Sequence, residues 1–179
     1  MFYSTDYASP LGSITLASDG ENLVGLWMAG QKYFAATVND TLEKKRDLPA
    51  FAPAKKWLDA YFAGKKPSIS ELSPAPVGGE FRRAVWAILC EIPYGQCTTY
   101  GEIAKKMAVR MGRKSMSSQA IGGAVGHNPI SIIIPCHRVV GSNGSLTGYA
   151  GGIGKKMKLL EHEGADMTRF FIPGKGAAL

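Results

Sequence analysis

The chain has 179 residues, 45% of them hydrophobic and 20% charged, an ordinary globular composition that excludes a disordered, collagen-like or low-complexity chain. The length fits one compact unit or two small lobes. The sequence shows neither the pattern of a secretion leader nor an apolar run of about 18 residues, so we expect a cytoplasmic protein without a membrane segment. The net charge of +7 is uneven: residues 1–80 carry 8 Lys/Arg against 9 Asp/Glu, and residues 81–179 carry 13 against 5.

The first 28 residues show the pattern of a β-meander. Polar and apolar residues alternate from Ser13 to Leu16, and turn-forming residues separate the predicted strands. From Phe51 onward the apolar residues recur at helical spacing until Gly64 provides a stop. We therefore expect a small sheet covered by one helix.

A linker is predicted at residues 67–79, which are rich in Pro, Ser and Gly and have no apolar period. We accordingly expect an N-terminal domain over residues 1–75 and a C-terminal domain over residues 76–179. The second domain holds the excess positive charge, all three cysteines and all three histidines. Charge alone fits either a partner that is a polyanion, such as nucleic acid, or a basic surface without such a partner.

Three helices are predicted after the linker, at residues 81–92, 100–107 and 118–125. Thr99 and Glu102 form a capping box before the second helix, and Ser117 or Ser118 can cap the third. A basic loop over residues 109–116 joins these two helices. The pair suggests a helix-turn-helix with an unusually long connection.

The third of these helices carries Gly122 and Gly123, with Gly126 at its end. Each interior glycine lowers helix propensity by about 1 kcal/mol relative to alanine, so another interaction must compensate. A glycine face allows close approach of a backbone, which suits either a helix lying in a DNA groove or a helix packed tightly on another helix. Both interpretations stay open on the sequence alone.

A reactive cysteine is a candidate at the end of an apolar run. Residues 130–134 are rich in β-branched side chains and predict a buried strand, which places Cys136 just past its end. His137 and Arg138 are close enough in sequence to lower the pKa of the thiol. A cysteine beside an apolar run is otherwise most often a small buried hydrophobe.

Other cysteine chemistries fit the sequence less well. Three cysteines without a CxxC pair predict free thiols rather than a disulfide framework. The absence of CxxC and HxxxH pairs disfavours a zinc site, so we expect no metal. A cysteine hydrolase remains open, because the chain has the cysteine, histidine and acid that such an enzyme requires.

Three segments carry a resemblance to a known family. They are GHNPISIIIPCHRVVGSNGSLTGYAGG at 126–152, FRRAVWAILCEIPYGQCTTYGEIAKKM at 81–107 and KLLEHEG at 158–164. Together they resemble the O6-alkylguanine-DNA alkyltransferases, and the PCHRV motif is highly specific in this setting. The resemblance implies an α/β (α+β) fold, with a small ribonuclease H-like N-terminal lobe and a helical C-terminal lobe bearing a winged-helix-like helix-turn-helix.

The resemblance also implies a reaction. The damaged guanine is flipped out of double-stranded DNA approached from the minor groove, and its O6-alkyl group moves irreversibly to Cys136. O4-alkylthymine is a possible second substrate. The chain would act once, as a monomer and without a cofactor. A rival within the family is a lesion-binding protein that transfers nothing, but such proteins lack the cysteine.

Site residues follow from the same resemblance. Cys136 is the nucleophile, His137 draws its proton through a water, Glu163 orients His137, and Tyr100 hydrogen-bonds the guanine. The residues expected to bind DNA or the lesion are Gln119, Gly122, Gly123, Val125, Asn128, Arg138, Tyr149 and Ala150. Gln119 departs from the family pattern, which has an arginine that fills the gap left by the flipped base. This departure puts the efficiency of flipping in doubt.

Overall fold

The computed structural model describes residues 1–38 and 40–174, and the chain divides into two compact units. Unit 1 comprises Met1–Gly78 and Pro129–Ile133. Unit 2 comprises Gly79–Asn128 and Ile134–Leu179, and the last five residues of this range and of the predicted second domain lie outside the described residues. Unit 1 therefore takes five residues from the middle of the sequence of unit 2.

The predicted meander of unit 1 is confirmed. Its strands are β1 (Phe2–Ser9), β2 (Gly12–Ser18) and β3 (Leu23–Met28), paired antiparallel in sequence order, and β4 (Leu42–Lys44) lies parallel to β1 at the other edge. Gly25 is required in β3, because a Cβ there would lie 2.1 Å from the Trp27 ring.

The helix predicted from Phe51 is also confirmed as α1 (Phe51–Phe62), which packs on β1 and β2. It buries one apolar face at the helical spacing read from the sequence, made of Phe51, Ala54, Trp57, Leu58 and Tyr61. The segment 67–79 is partly ordered within unit 1. It contains a 3-10 turn at Ile69–Glu71, and the Ala75 amide donates to the Leu23 carbonyl.

The strand predicted over residues 130–134 is wrong. Ile130 forms a single bridge with Leu26 of β3, and the chain then turns back on itself. The Ile133 amide donates to the Ser131 carbonyl at 2.8 Å, and Ile132 between them has φ of +68°. This is a γ-turn, which is rare and strained for a β-branched residue. Residues 130–133 of the run are therefore a buried turn in unit 1, and Ile134 belongs to unit 2.

Unit 2 contains the predicted helices, which are α2 (Glu80–Leu89), α3 (Tyr100–Arg110) and α4 (Ser118–Gly126), followed by α5 (Ile153–His162). Two short parallel strands, β5 (Thr98–Thr99) and β6 (Val139–Val140), pair beside them. The capping box of Thr99 and Glu102 opens α3, and the Ser117 hydroxyl caps α4. α3 extends three residues beyond the predicted end, so the basic connection is only seven residues long, from 111 to 117.

Helices α2, α3 and α4 pack against one another. The Trp86 indole of α2 donates to the Ala124 carbonyl of α4 at 2.8 Å and satisfies both buried groups. This packing holds α3 and α4 as the predicted helix-turn-helix. Across the described residues, every helix is too short or too polar to cross a membrane.

Candidate active site

Cys136 opens a 3-10 turn over Cys136–Arg138 and is 4% exposed. The Cys136 amide donates to the Ile134 carbonyl at 2.8 Å, so the backbone makes an inverse γ-turn at Pro135 just before the thiol. The side-chain nitrogen of Asn128 donates to the Cys136 sulfur at 3.1 Å and to the Ile134 carbonyl at 2.8 Å. The sulfur is thus held by both the turn and an amide donor.

Burial raises the pKa of the Cys136 thiol, because a thiolate is poorly solvated there. Several groups oppose this rise by favouring the thiolate. They are the Asn128 amide, the nearby charge of Lys156, and the backbone amides of Cys136 and His137. The thiol is therefore the resting form at neutral pH, and the site contains donors ready to stabilise the thiolate once the proton leaves.

His137 is fully buried and its Nε2 lies 2.7 Å from Oε1 of Glu163. Burial lowers the pKa of His137, although Glu163 opposes the shift, so the imidazole is neutral at pH 7. A carboxylate only accepts hydrogen bonds, which assigns the proton to Nε2 and leaves a lone pair on Nδ1. Nδ1 is buried and has no hydrogen-bond partner among the described residues. His137 can therefore accept a proton at Nδ1.

Arg138 is buried against Glu163 and does not face solvent. Its Nε and Nη2 donate to the two carboxylate oxygens at 2.8 and 2.9 Å, and Nη1 donates to the Ile92 carbonyl at 2.6 Å. Its guanidinium also lies 5.7 Å from the centre of the Tyr94 ring. Arg138 was expected among the DNA-binding residues, but here it contacts the acid that orients His137.

Glu163 also accepts from the Gly95 amide at 3.1 Å, so its carboxylate bridges three parts of unit 2. Burial alone would raise the pKa of Glu163. The hydrogen bonds and charges of His137 and Arg138 outweigh that effect and bring the pKa well below its usual range. Glu163 therefore remains a carboxylate throughout the neutral range and keeps the Nε2 proton in place.

Lys156 is a buried group that sequence reasoning missed. Its ammonium donates to the carbonyls of Val139 and Thr147, and burial lowers its pKa to about 8. The Tyr100 hydroxyl donates to the same Thr147 carbonyl at 3.1 Å. Lys156 lies three and four positions before Leu159 and Leu160, the other buried residues of α5, so helical spacing was a signal for its burial that sequence reasoning did not use.

Tyr100 also lies against the backbone after Thr147. A Cβ on Gly148, which has φ of +77°, would be 2.6 Å from the Tyr100 hydroxyl oxygen. Glycine is therefore needed both for the backbone conformation and for the approach of the tyrosine. Burial, followed by the charge of Cys136, raises the pKa of Tyr100 to about 12, which keeps the hydroxyl protonated as a donor.

The remaining predicted pocket residues lie around these groups. Val125 and Tyr149 are buried and Ala150 is half-buried. The Tyr149 hydroxyl has no hydrogen-bond partner in the described part of the chain. Burial and the charges of Cys136 and Glu163 raise its pKa well above the ordinary value, so it also stays protonated.

Helix α4 presents an open, smooth face. Gln119 and Gly123 are exposed, and a Cβ on Gly123 or Gly126 would meet nothing within 4 Å. A Cβ on Gly122 would approach only the Tyr100 ring, at 4.0 Å. These glycines are therefore not explained by tight packing on another helix, and the face is free for close approach by a ligand.

No group of histidine, cysteine or acidic side chains suited to a metal ion occurs among residues 1–38 and 40–174. Cys90, Cys97 and Cys136 are all free thiols.

Comparison with known proteins identifies the family over nearly the whole chain. The family model described as the ribonuclease-like domain of 6-O-methylguanine DNA methyltransferase matches residues 1–73, and the model of its DNA binding domain matches residues 80–165. A methylated-DNA--protein-cysteine methyltransferase of Methanosarcina acetivorans is 44% identical over 166 residues, covering 92% of this chain and 99% of the relative. One of Mycobacterium tuberculosis is 43% identical over 167 residues, covering 90% and 94%.

Solved structures agree with this assignment. The crystal structure of Mycobacterium tuberculosis OGT in complex with DNA superposes with a TM-score of 0.77 at 40% identity, covering 94% of this chain and 99% of that one. The O6-methylguanine methyltransferase of the same organism gives a TM-score of 0.75 at 40% identity, covering 91% and 93%. Sequence and fold therefore agree that the chain belongs to the 6-O-methylguanine DNA methyltransferase family.

Proposed function

We propose that the chain repairs alkylated DNA by direct reversal, moving the alkyl group from O6-alkylguanine to the sulfur of Cys136. The sulfur forms a bond to the alkyl carbon while the bond between that carbon and O6 breaks. The electron pair of the broken bond returns to the guanine, which is released as the normal base with one proton gained. The thiol proton is first taken up at Nδ1 of His137 and then passes through solvent to the guanine anion, so the one proton lost by the thiol is the one gained by the base and no cofactor is required.

One observation carries this proposal: a buried thiol shares its turn with a neutral imidazole whose Nδ1 lone pair is unpaired. Glu163 fixes the tautomer that leaves this lone pair available. A water between the thiol and Nδ1 would carry the proton, because adjacent residues of a turn do not face each other directly. His137 is the base and Glu163 is the residue that orients it.

We assign Arg138 to this relay as a positioning residue. Its two hydrogen bonds to Glu163 keep the carboxylate ionised and fix its plane. Asn128 stabilises the thiolate by donating to the sulfur. Arg138 thus acts through Glu163 and His137, whereas Asn128 touches the reacting atom.

Tyr100 would exchange its Thr147 acceptor for the flipped guanine. Its protonated hydroxyl can donate to a purine nitrogen and make guanine a better leaving group. Val125, Tyr149 and Ala150 would form the pocket walls. We include O4-alkylthymine as a second substrate of the same pocket, since that base also carries its alkyl group on an exocyclic oxygen next to a ring nitrogen.

The substrate is double-stranded DNA, and the open face of α4 would enter the minor groove. Gln119, Gly122 and Gly123 lie on that face. The complex of the 40% identical Mycobacterium tuberculosis relative with DNA supports this partner. We further infer a monomer that works in the cytoplasm, where its three free thiols stay reduced.

Intact-mass spectrometry tests the proposal. The protein is mixed with excess duplex carrying one O6-methylguanine, and a peptide map locates any added mass. We expect one methyl group per molecule, on Cys136, with no further gain on longer incubation and none in Cys136→Ala. Binding of the lesion without a mass gain would make the chain a lesion-binding protein, and repeated turnover would indicate a different enzyme.

A further inference from the structure

Helix α4 has no charged residue along its whole length, Ser118–Gly126. Affinity for nucleic acid nevertheless comes largely from lysine and arginine side chains that neutralise phosphates. A helix that approaches DNA through glycine, alanine and serine therefore needs charge from a neighbouring element. The segment that immediately precedes α4 supplies such charge.

The connection from α3 to α4 begins in a defined conformation. Gly112 has φ of +62°, its amide donates to the Val109 carbonyl, and the Arg113 amide donates to the Ala108 carbonyl at 2.8 Å. These two bonds form a Schellman motif, in which glycine ends the helix. The motif fixes the backbone at Arg113, so the connection leaves α3 in one direction.

Two exposed cations follow the motif. Arg113 and Lys114 are exposed, and neither forms an ion pair within the described residues. Arg110 at the end of α3 differs, because it is paired with Glu91. The sequence between Glu102 and Glu161 contains no acidic residue and nine basic ones, so no local carboxylate in that stretch competes for these cations.

We propose that the α3–α4 connection is a phosphate-binding element that holds the DNA backbone while the open face of α4 lies in the adjacent groove. Arg113 and Lys114 are the two residues that contact phosphates. The inference rests on the proposed function, since it takes duplex DNA as the partner. The connection and α4 then contribute differently to DNA binding. The connection provides affinity that does not depend on the base sequence, and α4 provides a surface that the groove can approach closely.

Salt dependence of duplex binding tests this element. Each phosphate contact steepens the plot of log affinity against log salt concentration by about 0.9, so Arg113→Ala/Lys114→Ala should reduce the slope by about 2. The probe is an unmodified duplex, measured at several salt concentrations. Lys56→Ala/Lys65→Ala removes the same charge from exposed positions in unit 1 and should leave the slope unchanged. Arg113→Lys/Lys114→Arg keeps both charges and should therefore keep the wild-type slope.

The outcomes are distinct. A slope reduced only in Arg113→Ala/Lys114→Ala, with an unchanged unfolding temperature, supports the element. Equal slopes in this variant and the wild type overturn it and leave the proposed function intact, provided that the wild type still gains a methyl group on Cys136. A wild-type chain that neither binds duplex nor gains the methyl group refutes both proposals.

Discussion

The side-chain nitrogen of Asn128 lies 3.1 Å from the Cys136 sulfur and donates a hydrogen bond to it. Asn128 stands two residues beyond the end of α4, and the sulfur is almost completely buried. The state of the sulfur is thereby linked to the C-terminal end of the helix proposed to enter the groove.

Alkylation of Cys136 is expected to destabilise unit 2. In the resting protein Asn128 donates to a buried thiol sulfur, and a methyl group added to that sulfur must fit beside the donor and displaces it from its acceptor. Leaving a buried donor poorly satisfied costs about 1–3 kcal/mol of unfolding free energy. Scanning calorimetry before and after reaction with a methylated duplex should show a lower unfolding temperature. The unfolding temperature of Cys136→Ala should not change after the same incubation. Equal unfolding temperatures for reacted and unreacted wild-type protein would contradict the expectation.

Glu163→Gln should both slow transfer and destabilise the fold. An amide is uncharged and has one accepting oxygen, so the substitution leaves the buried Arg138 guanidinium without a counter-ion. This loss lowers the free energy of unfolding by about 3–5 kcal/mol. It also removes the carboxylate that fixes the His137 tautomer, and we expect single-turnover transfer to slow by roughly 10²-fold. Binding of unmodified duplex should change little.

Glu161→Gln is the matched control, because Glu161 is exposed two residues away. Quench-flow transfer assays and urea unfolding at one temperature compare the two variants. A Glu163→Gln protein that transfers at the wild-type rate would exclude Glu163 from the relay.

Acid should destabilise unit 2 from about pH 6.5 downward. The pKa of His137 is lowered by burial, so the unfolded chain binds that proton first, and stability falls as the pH drops below 6.5. The pKa of Glu163 is depressed by its hydrogen bonds with His137 and Arg138, so its contribution is present above 4.5 and is lost as pH falls toward the folded value. Both groups act in the same direction.

Urea unfolding at pH 7.5, 6, 5 and 4 checks this dependence. The loss between pH 7.5 and 5 should be smaller in His137→Gln, which has no titrating imidazole at that position. Stability that is constant or rising on acidification would show that the relay is not assembled as described.

Gln119→Arg should speed transfer from duplex DNA. Gln119 is the second residue of α4 and is exposed, so a longer cationic side chain can be accommodated without repacking. A guanidinium can fill the space left by a flipped base and pair with phosphates or the orphaned base. Transfer from the free O6-methylguanine nucleoside needs no flipping and should be unaffected. A rate increase on the nucleoside as well would attribute the effect to chemistry rather than flipping.

Local signals in the sequence predicted the helices well. The capping box of Thr99 and Glu102 and the serine cap at Ser117 are short-range patterns, and both form as predicted. The strand over 130–134 failed because β-branched propensity does not reveal a reversal of the backbone, and Ile132 adopts a conformation that such residues rarely take. β4 offered no signal, because it has only three residues and two are charged.

Local pattern alone made Cys136 a candidate reactive cysteine with His137 beside it, but left open that it is a small buried hydrophobe. The role of Glu163 came only from the resemblance, because sequence spacing does not reveal a contact between residues 26 positions apart. The partner of Arg138 was missed for the same reason, since its carboxylate is 25 residues away. The burial of Lys156 agrees with its helical spacing to Leu159 and Leu160, a signal that was not used because lysine is rarely buried.

The five residues that unit 1 takes from the middle of the sequence of unit 2 affect the order in which the chain can fold during translation. The Leu26 amide donates to the Pro129 carbonyl, and Gln31 accepts from the Ser131 hydroxyl, so β3 and its following turn obtain their last partners from a segment about 100 positions later. During translation the N-terminal lobe therefore stays incomplete until residue 133 has left the ribosome. A fragment ending at the linker would lack these partners, and a fragment beginning after the linker would carry residues 129–133 without the β3 strand that they bond in unit 1.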